Sequence, residues 1–237
     1  MKHFVKVLVG TALLFSGCAS DQKPQLKDEN DRVNYSLGHQ IGGDFKRQGV
    51  EVRPALVVKG IQDALSGAEP SMTQKEMDET LRDLKRRIVT AQREERKHAA
   101  EDNLAKGKAF LEENAKKEGV KTLPSGLQYK VIQEGSGATP QATDTVVVHY
   151  RGTLIDGTEF DSSYSRGKPA TFRADRVIRG WTEALGMMKE GAKWELFIPA
   201  DLAYGQRGAG AKIGPNSTLI FEVELISIGE AEGRKDG

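Results

Sequence analysis

A stretch from Thr73 to Glu118 constrains the fold of this chain more than any other feature, because it contains no proline and only one glycine, Gly107. Thr73 and Glu76 at its start have the spacing of a capping box, in which each side chain binds a backbone N–H at the beginning of a helix. Proline and glycine are the residues least compatible with a helix interior, so the stretch predicts one continuous helix. At about 1.5 Å per residue it would be roughly 65 to 70 Å long.

The two halves of this helix have different surfaces. Apolar residues at alternating steps of four and three give the first half a narrow packing seam, formed by Met77, Leu81, Leu84, Ile88 and Ala91. Residues 93–103, REERKHAAEDN, are charged nearly all round, which is typical of a helix that connects two domains through solvent. The alternative is that its basic residues bind an acidic partner, but four acidic residues in the same segment offset them.

Two shorter helices are predicted within residues 31–72. The first has one apolar stripe at every fourth position, formed by Val33, Leu37, Ile41 and Phe45. The second begins near Pro54, a residue suited to a first helical turn, and stops near Gly67. Two short helices enclose little core, and small domains of this kind usually need a partner. Their apolar faces therefore pack either on a second copy of the chain or on the other domain of the same chain.

The first 18 residues have the layout of a secretory signal peptide, with basic residues before an apolar run at 7–15 that is too short to span a bilayer. The tripeptide that ends at Cys18 also resembles a lipobox, the cleavage site of lipoproteins, although Phe15 stands where leucine is usual. Cys18 is the only cysteine, so no intramolecular disulfide can form. We expect a lipidated Cys18; the alternative is an ordinary cleaved signal peptide with an incidental cysteine.

The residues after Cys18 indicate a destination. Ala19 and Ser20 follow it, and neither is the aspartate that keeps many lipoproteins in the inner membrane. The predicted location is therefore the periplasmic side of the cell envelope, with an anchor in the outer membrane. Residues 19–30 are polar and include Pro24, which is typical of a tether.

Composition and missing motifs exclude several other functions. Lys plus Arg number 35 and Asp plus Glu number 34 among 237 residues, so the overall charge gives no reason to expect nucleic acid. The chain has no Cys-x-x-Cys, no histidine pair at metal spacing and no Gly-x-Ser-x-Gly elbow, and its glycines at 205–214 lack the Lys-Ser/Thr ending of a phosphate loop. We expect no metal and no cofactor.

Beyond residue 119 the apolar residues alternate, which is typical of strands. The predicted strands are 127–132, 146–150, 193–198 and 218–228. Asp156-Gly157 is a signal for a two-residue hairpin turn with positive φ at both positions. Residues 177–188 predict a short helix with Trp181 on its apolar face. Antiparallel strands with one short helix imply an α+β domain whose sheet packs its apolar face around that helix.

Four segments of this region carry a specific resemblance: YRGTLIDGTEFDSS, VIRGWTEALGMMKEG, LAYG and GPNSTLIFEVELISI. In this order and spacing they resemble the FKBP-type peptidyl-prolyl cis-trans isomerases. The similarity extends through NYSLGHQIGGDFKRQG and LPSGLQYKVIQEGSG to the two-domain bacterial members of the Mip and FkpA type, and so covers residues 30–228. It implies a helical dimerisation domain at 31–72, a linker helix at 73–118 and an antiparallel half-barrel at 119–229, before a polar tail at 230–237.

The resemblance also implies an apolar pocket between sheet and short helix. Carried over by motif, the catalytic residues are Asp161, Tyr204, Phe221, Trp181 and Tyr150, and the substrate-binding residues are Phe160, Arg166, Val177, Ile178 and Ile213. Taken singly, the aromatic members would be ordinary core residues, and Asp161 could cap a turn. Ala170 and Ala209 stand where many eukaryotic members carry phenylalanine and histidine, so substrate preference and inhibitor affinity are expected to differ.

Aromatic residues suffice for this chemistry. The barrier to peptide-bond rotation, about 18 to 20 kcal/mol, comes from amide resonance. The twisted amide is less dipolar than the planar one, so a dry apolar pocket lowers the barrier by binding the twisted form better. In the implied scheme Trp181, Phe221, Val177 and Ile178 contact the proline ring. Tyr204 and the N–H of Ile178 bind substrate carbonyls, while Asp161, oriented by Arg166, contacts the twisted carbonyl or stabilises the pocket.

The sequence therefore predicts an FKBP-class isomerase that assists the folding of proline-containing envelope proteins, binds inhibitors of the FK506 and rapamycin type, and forms a homodimer through its N-terminal helices. The alternative is a dimeric periplasmic chaperone whose isomerase activity is secondary. The aromatic pocket favours the first hypothesis, and the paired helices with the long linker favour the second.

Overall fold

The computed structural model describes residues 23–229. The predicted signal peptide, Cys18 and the polar tail lie outside this range. The chain divides into two compact units at the bond between Asp78 and Glu79. No helix within residues 23–229 combines the length and the hydropathy needed to cross a membrane.

The first unit contains helices α1 (Glu29–Arg47) and α2 (Pro54–Ser66). The Asp28 side chain caps α1 by accepting the N–H of Asp31 at 2.8 Å. Pro54 begins α2 and Gly67, with φ of +66°, ends it in the left-handed conformation, as predicted. Neither helix has a buried residue, and the stripe residues Leu37 and Ile41 are 53% and 42% exposed. Most of the apolar stripe of α1 is therefore uncovered within its own unit.

Helix α3 runs without interruption over Gln74–Asn114, so the predicted long helix is confirmed. Its capping box is also present. The N–H of Glu76 donates to Thr73 Oγ1 at 3.2 Å, and the N–H of Thr73 donates to the Glu76 carboxylate at 2.8 Å. These two bonds begin the helix at the predicted position. The bond between Asp78 and Glu79 lies within α3, so most of this helix belongs to the second unit.

The second unit is built on one antiparallel sheet. Its elements are β1 (Val120–Thr122), β2 (Gln128–Gln133), β3 (Thr145–Leu154), β4 (Glu159–Ser162), β5 (Ala170–Arg173), helix α4 (Arg179–Leu185), β6 (Lys193–Ile198) and β7 (Leu219–Gly229). The strand order is β1-β2-β6-β7-β3-β4, and β5 also pairs with β3. Two short 3-10 turns, Ala200–Leu202 and Gly205–Arg207, precede β7.

The core lies between one face of this sheet and α4. Alternate residues of β3, namely Val146, Val148 and Tyr150, are buried there, because successive strand side chains point to opposite faces. Trp181 and Leu185 of α4 are buried against them. The predicted α+β fold is confirmed.

The turn between β3 and β4 differs from the prediction. Gly157 has φ of +86°, but Asp156 does not have positive φ. The N–H of Gly157 donates to Leu154 O at 3.0 Å and that of Leu154 to Thr158 O at 2.9 Å, so the loop has three residues and ends on a glycine. The Asp156 carboxylate accepts the N–H of Thr158 at 2.9 Å. This bond stabilises the longer loop, and the prediction of a two-residue turn was wrong.

The outer face of the sheet is also partly covered. In β6, Phe197 shares a face with Lys193 and Glu195, which alternation would assign to water. Phe197 is nevertheless 5% exposed, with its ring 6.0 Å from that of Phe110 in α3. Asn114, at the end of α3, is fully buried and donates to Gln128 Oε1 at 2.9 Å. The last part of α3 therefore packs on the sheet. The prediction that residues 93–103 pass through solvent is wrong for one side of the helix, where Asn103 donates to Pro215 O.

The single glycine of α3 is explained by this packing. A Cβ atom at Gly107 would lie 2.3 Å from Thr218 Oγ1 and 3.2 Å from Thr218 Cβ. We expect Gly107→Ala to lower the free energy of unfolding of the second unit by about 1 to 3 kcal/mol, the usual cost of overpacking. Urea unfolding followed by tryptophan fluorescence measures this directly, because both tryptophans, Trp181 and Trp194, lie in this unit.

The control is Thr218→Ala, which removes the hydroxyl that an added Cβ would meet. Gly107→Ala should cost less in this background than in the wild type, and the difference measures the contact. Equal costs in both backgrounds would contradict the assigned contact.

Candidate functional site

A cavity of about 790 Å³ opens between the sheet, α4 and the residues that precede β7. All predicted site residues except Arg166 line it, and Arg166 contacts the lining residue Asp161. The structure thus brings together residues from β3, β4, α4 and β7, which lie far apart in the sequence.

The floor of the cavity is an aromatic cluster around Trp181. The indole is 4% exposed and stands nearly perpendicular to Tyr150, Phe172 and Phe221, at centroid distances of 5.4, 5.9 and 5.2 Å. Phe160 stands edge-on to Phe221 at 5.4 Å. Edge-to-face contacts are the favoured geometry of aromatic pairs, so the rings fix one another's orientation.

Gly152 permits this cluster to form. It lies on β3 opposite Phe221 of β7, and a Cβ atom there would lie 2.6 Å from the Phe160 ring and 2.7 Å from the Phe221 ring. Real Cβ atoms do not approach other atoms so closely. The two rings therefore cover the backbone of residue 152 and form one side of the cavity.

A triangle of polar groups lies at the edge of the aromatic floor. The Tyr150 hydroxyl donates to Asp161 Oδ2 at 2.5 Å, Arg166 Nη2 donates to Tyr150 Oη at 2.7 Å, and Arg166 Nη1 forms an ion pair with Asp161 Oδ1. Both carboxylate oxygens of Asp161 thus have a partner within the triangle.

These contacts set the ionisation of Asp161. Burial raises the pKa of the carboxyl, but the hydrogen bonds from Tyr150 and Arg166 outweigh it, so the pKa lies below its ordinary value. Burial and Asp161 together raise the pKa of Tyr150. Because the pKa of Asp161 is lowered on folding, its ionised contacts are complete above the unfolded pKa and are lost only as pH falls through the lowered value. The pKa of Asp161 is lowered and those of Tyr150 and Arg166 are raised, so none of the three groups changes its protonation state near neutral pH.

Two hydrogen-bond donors face the cavity without a protein acceptor. The hydroxyl of Tyr204, which is 40% exposed, makes no hydrogen bond to any described residue. Burial and the charge of Asp161 raise the pKa of Tyr204, so its hydroxyl stays protonated. Ile178 precedes α4 in an extended conformation, and no acceptor within residues 23–229 meets its N–H. Both groups can donate to a carbonyl oxygen in the cavity.

Ser163, which the sequence analysis did not single out, fixes the backbone of Tyr150. Its fully buried Oγ accepts the N–H of Tyr150 at 2.8 Å and donates to Tyr150 O at 3.2 Å. His149 lies on the other face of β3, outside the cavity, and its Nδ1 is 3.0 Å from Ser163 Oγ.

Three lining residues with large side chains were missed: Phe172, Arg176 and Lys212. Phe172 carried a signal, since it continues the series of aromatic residues in this half of the chain. Arg176 and Lys212 lie in loops, where charged residues are ordinary. Nothing in their spacing could have placed them at the cavity.

Family comparisons agree with this geometry. A family model described as FKBP-type peptidyl-prolyl cis-trans isomerase matches residues 136–226, the part of the chain that contains the whole aromatic cluster. A second, described as the domain amino terminal to FKBP-type peptidyl-prolyl isomerase, matches residues 30–131. The chain belongs to the FKBP-type peptidyl-prolyl cis-trans isomerases. The predicted family and enzyme class are confirmed.

Relatives match nearly the whole isomerase. It is 47% identical to the outer membrane protein MIP of Legionella longbeachae, over 98% of this chain and 99% of that protein. It is 50% identical to the FKBP-type 22 kDa peptidyl-prolyl cis-trans isomerase of Escherichia coli K12, over 83% and 94% of the two chains. The crystal structure of FkpA from Escherichia coli aligns with a TM-score of 0.68 and 41% identity, covering 87% of this chain and all of that one.

The mouth of the cavity carries uncompensated positive charge. Arg176 is exposed and forms no ion pair with a described residue, because the neighbouring Asp175 pairs with Arg173. Lys212 Nζ donates to the backbone oxygen of Glu159 at 3.0 Å, while the Glu159 carboxylate pairs with Arg151. The charge of Asp161 is already paired within the triangle.

We therefore expect the isomerase to prefer peptides with an acidic residue beside the Xaa-Pro bond. Among peptides that carry Glu, Ala or Lys after the proline, kcat/KM should fall in that order. Each step should be about 1.4- to 5-fold at low salt, since an exposed ion pair contributes about 0.2 to 1 kcal/mol. High salt should reduce the preference.

Arg176→Ala combined with Lys212→Ala should remove this preference and leave turnover of the Ala peptide unchanged. The matched control is Lys130→Ala, an exposed lysine of β2 that does not line the cavity. A preference that survives in the double variant would contradict the role of these two charges.

Proposed function

We propose that this isomerase binds Xaa-Pro segments of unfolded or partly folded envelope proteins in the aromatic cavity and accelerates their cis-trans rotation, so assisting folding. The observation that carries the proposal is the cavity itself. Its floor consists of packed aromatic rings, and the one acidic group beside them is already paired. Such a site accepts an apolar ring and offers little to stabilise the dipole of a planar amide.

The proposed roles of the residues follow from their positions. Trp181, Phe221, Val177 and Ile178 contact the proline ring, and Tyr150 and Phe160 extend the aromatic wall. The Tyr204 hydroxyl and the Ile178 N–H donate to carbonyl oxygens on either side of the rotating bond. Ile213 closes the apolar lining. The unpartnered donors at Tyr204 and Ile178 support these assignments.

Asp161 has two candidate roles, contact with the twisted carbonyl carbon and stabilisation of the pocket. Both of its oxygens are occupied by Tyr150 and Arg166, which supports the second role. In this role the carboxylate fixes the Tyr150 ring against the substrate, and Arg166 orients the carboxylate.

We propose that the chain acts as a homodimer assembled through residues 31–72 and attached to the outer membrane by a lipid at Cys18. The exposed apolar stripe of α1 supports dimerisation. The similarity to a protein named as an outer membrane protein supports the location. The same apolar surface supports a second candidate function, binding of unfolded proteins by the dimer. Inhibitors of the FK506 and rapamycin type should occupy the cavity.

The first test is the cis-to-trans rate of a short Xaa-Pro peptide with purified residues 19–237, with and without an FK506-type inhibitor.

Tyr204→Phe should lower kcat/KM in this assay about 2- to 12-fold, because it removes one hydrogen bond that contributes about 0.5 to 1.5 kcal/mol. Asp161→Ala should abolish turnover, because it leaves Arg166 and Tyr150 without their common partner. The matched control is Tyr164→Phe, which removes a hydroxyl outside the cavity. Full turnover by both site variants would refute the assigned roles.

The second test concerns assembly. Leu37→Glu places a charge in the exposed stripe of α1 and should convert the dimer to a monomer in sedimentation velocity, with the peptide isomerisation rate unchanged. Ser36→Glu makes a similar charge change at an exposed polar neighbour and should leave the dimer intact. The monomer should also lose any suppression of aggregation of an unfolded client. A Leu37→Glu variant that remains dimeric would exclude this surface as the interface.

A further inference from the structure

The segment between the first 3-10 turn, Ala200–Leu202, and β7 forms one wall of the cavity. Residues 204–217, the wall loop, supply Tyr204, Ile213 and the small residues between 209 and 211 to the lining. Two of the groups assigned to substrate binding, the Tyr204 hydroxyl and the Ile213 side chain, therefore depend on the position of this loop.

The wall loop is closed by its own backbone. The N–H of Asn216 donates to Gly205 O at 2.8 Å and joins its two ends. Near its tip, Ala209 and Ile213 exchange two backbone hydrogen bonds of 2.8 and 3.1 Å. Gly208, with φ of +61°, permits this pairing, since a Cβ there would lie 2.2 Å from Ile213 O. The loop thus has a defined shape, but these bonds do not fix its position on the domain.

Helix α3, none of whose residues line the cavity, contacts the wall loop. Arg96 Nη2 donates to Arg207 O at 2.6 Å and to Gln206 O at 3.4 Å, and Asn103 Nδ2 donates to Pro215 O at 2.8 Å. In the opposite direction, Asn216 Nδ2 donates to Ala100 O at 3.2 Å. Residues 96, 100 and 103 are spaced by four and three, so they lie on one face of the helix. That face contacts both ends of the loop.

Asn216 is the junction of these contacts. It is the one non-glycine residue with positive φ, +55°, within residues 23–229, a conformation that asparagine tolerates better than most residues. Its N–H joins the ends of the loop, and its side chain binds α3. The left-handed backbone and the helix contact thus occur at the same residue.

We propose that Arg96 and Asn103 of α3 are positioning residues of the isomerase. Through the wall loop they place Tyr204 and Ile213 against the substrate. The inference rests on the proposed function of the cavity. Without these bonds the loop keeps its internal closure but moves relative to Trp181. Substrate binding must then restore its position, which weakens binding more than it slows the bound complex.

The sharpest variant is Asn103→Asp in the mature chain, residues 19–237. The change keeps the side-chain shape but replaces the donor to Pro215 O with a carboxylate oxygen, so attraction becomes repulsion. The control is the reverse exchange at the adjacent position, Asp102→Asn. The Asp102 side chain is 72% exposed, and its one ion pair with a described residue is with Lys106, at 3.7 Å. We expect Asn103→Asp to lower kcat/KM about 5- to 20-fold, mainly through KM, and Asp102→Asn to leave it unchanged.

Hydrogen exchange followed by mass spectrometry separates positioning from a general loss of stability. In Asn103→Asp, backbone amides at 205–217 should exchange faster, while those of β3 and β7 keep their wild-type rates. Arg96→Gln should act in the same direction. Arg96→Lys, which keeps a cationic donor, should recover part of the loss.

Wild-type kcat/KM and wild-type exchange in Asn103→Asp would overturn the proposal. So would lost turnover with unchanged exchange at 205–217, because the effect would then not pass through the loop. The comparison of hydrogen-exchange rates between the wild type and Asn103→Asp can be made even if the protein has no isomerase activity. An inactive wild type would therefore refute the proposed function of the cavity, while the exchange data would still decide whether α3 positions the loop.

Discussion

The register of β3 is the constraint on which the cavity depends. Tyr150 and Gly152 lie on the same face of this strand, two positions apart, and carry the polar triangle and the aromatic side wall respectively. Gly152 pairs with Phe221 of β7 along one edge of β3 and with Asp161 of β4 along the other edge. A shift of one residue would turn His149 and Arg151 towards α4 and remove every one of these contacts. The buried residues of β3 make that shift costly, so ordinary core packing specifies the site.

Under the proposed function, this arrangement explains how a cavity with little acid, base or nucleophile can serve an isomerase. The charges of Asp161 and Arg166 neutralise each other, and the Tyr150 hydroxyl is held between them. A substrate in the cavity would therefore meet an apolar surface of fixed shape, with two hydrogen-bond donors at its edge, the Tyr204 hydroxyl and the Ile178 N–H. Rotation of an amide needs no bond to be made or broken in the peptide chain, so shape and low polarity are sufficient.

Local sequence patterns predicted the helices and strands. Which of their surfaces are buried also depends on contacts between segments that lie far apart in the sequence. The capping box of Thr73 and Glu76 and the alternation in β3 are short-range signals, and both were correct. The turn at Asp156 was wrong because its carboxylate accepts a neighbouring N–H, a bond that competes with the two-residue turn. Phe197 and Asn103 were misjudged because α3 covers a surface that alternation and charge count assign to water. The predicted cavity residues were identified because whole segments of the sequence resemble the family. Arg176 and Lys212 were missed because they lie in loops that show no such pattern.

The contacts between α3 and the wall loop join residues that are 110 to 116 positions apart in the chain. Long-range contacts of this kind form late, because the entropy of closing a long loop must be overcome first. Residues 96–103 of α3 precede the wall loop in the chain, so this face of the helix is covered only after residues 206–216 have folded against it. The wall of the cavity that carries Tyr204 and Ile213 is therefore expected to be among the last parts of the second unit to become fixed during folding.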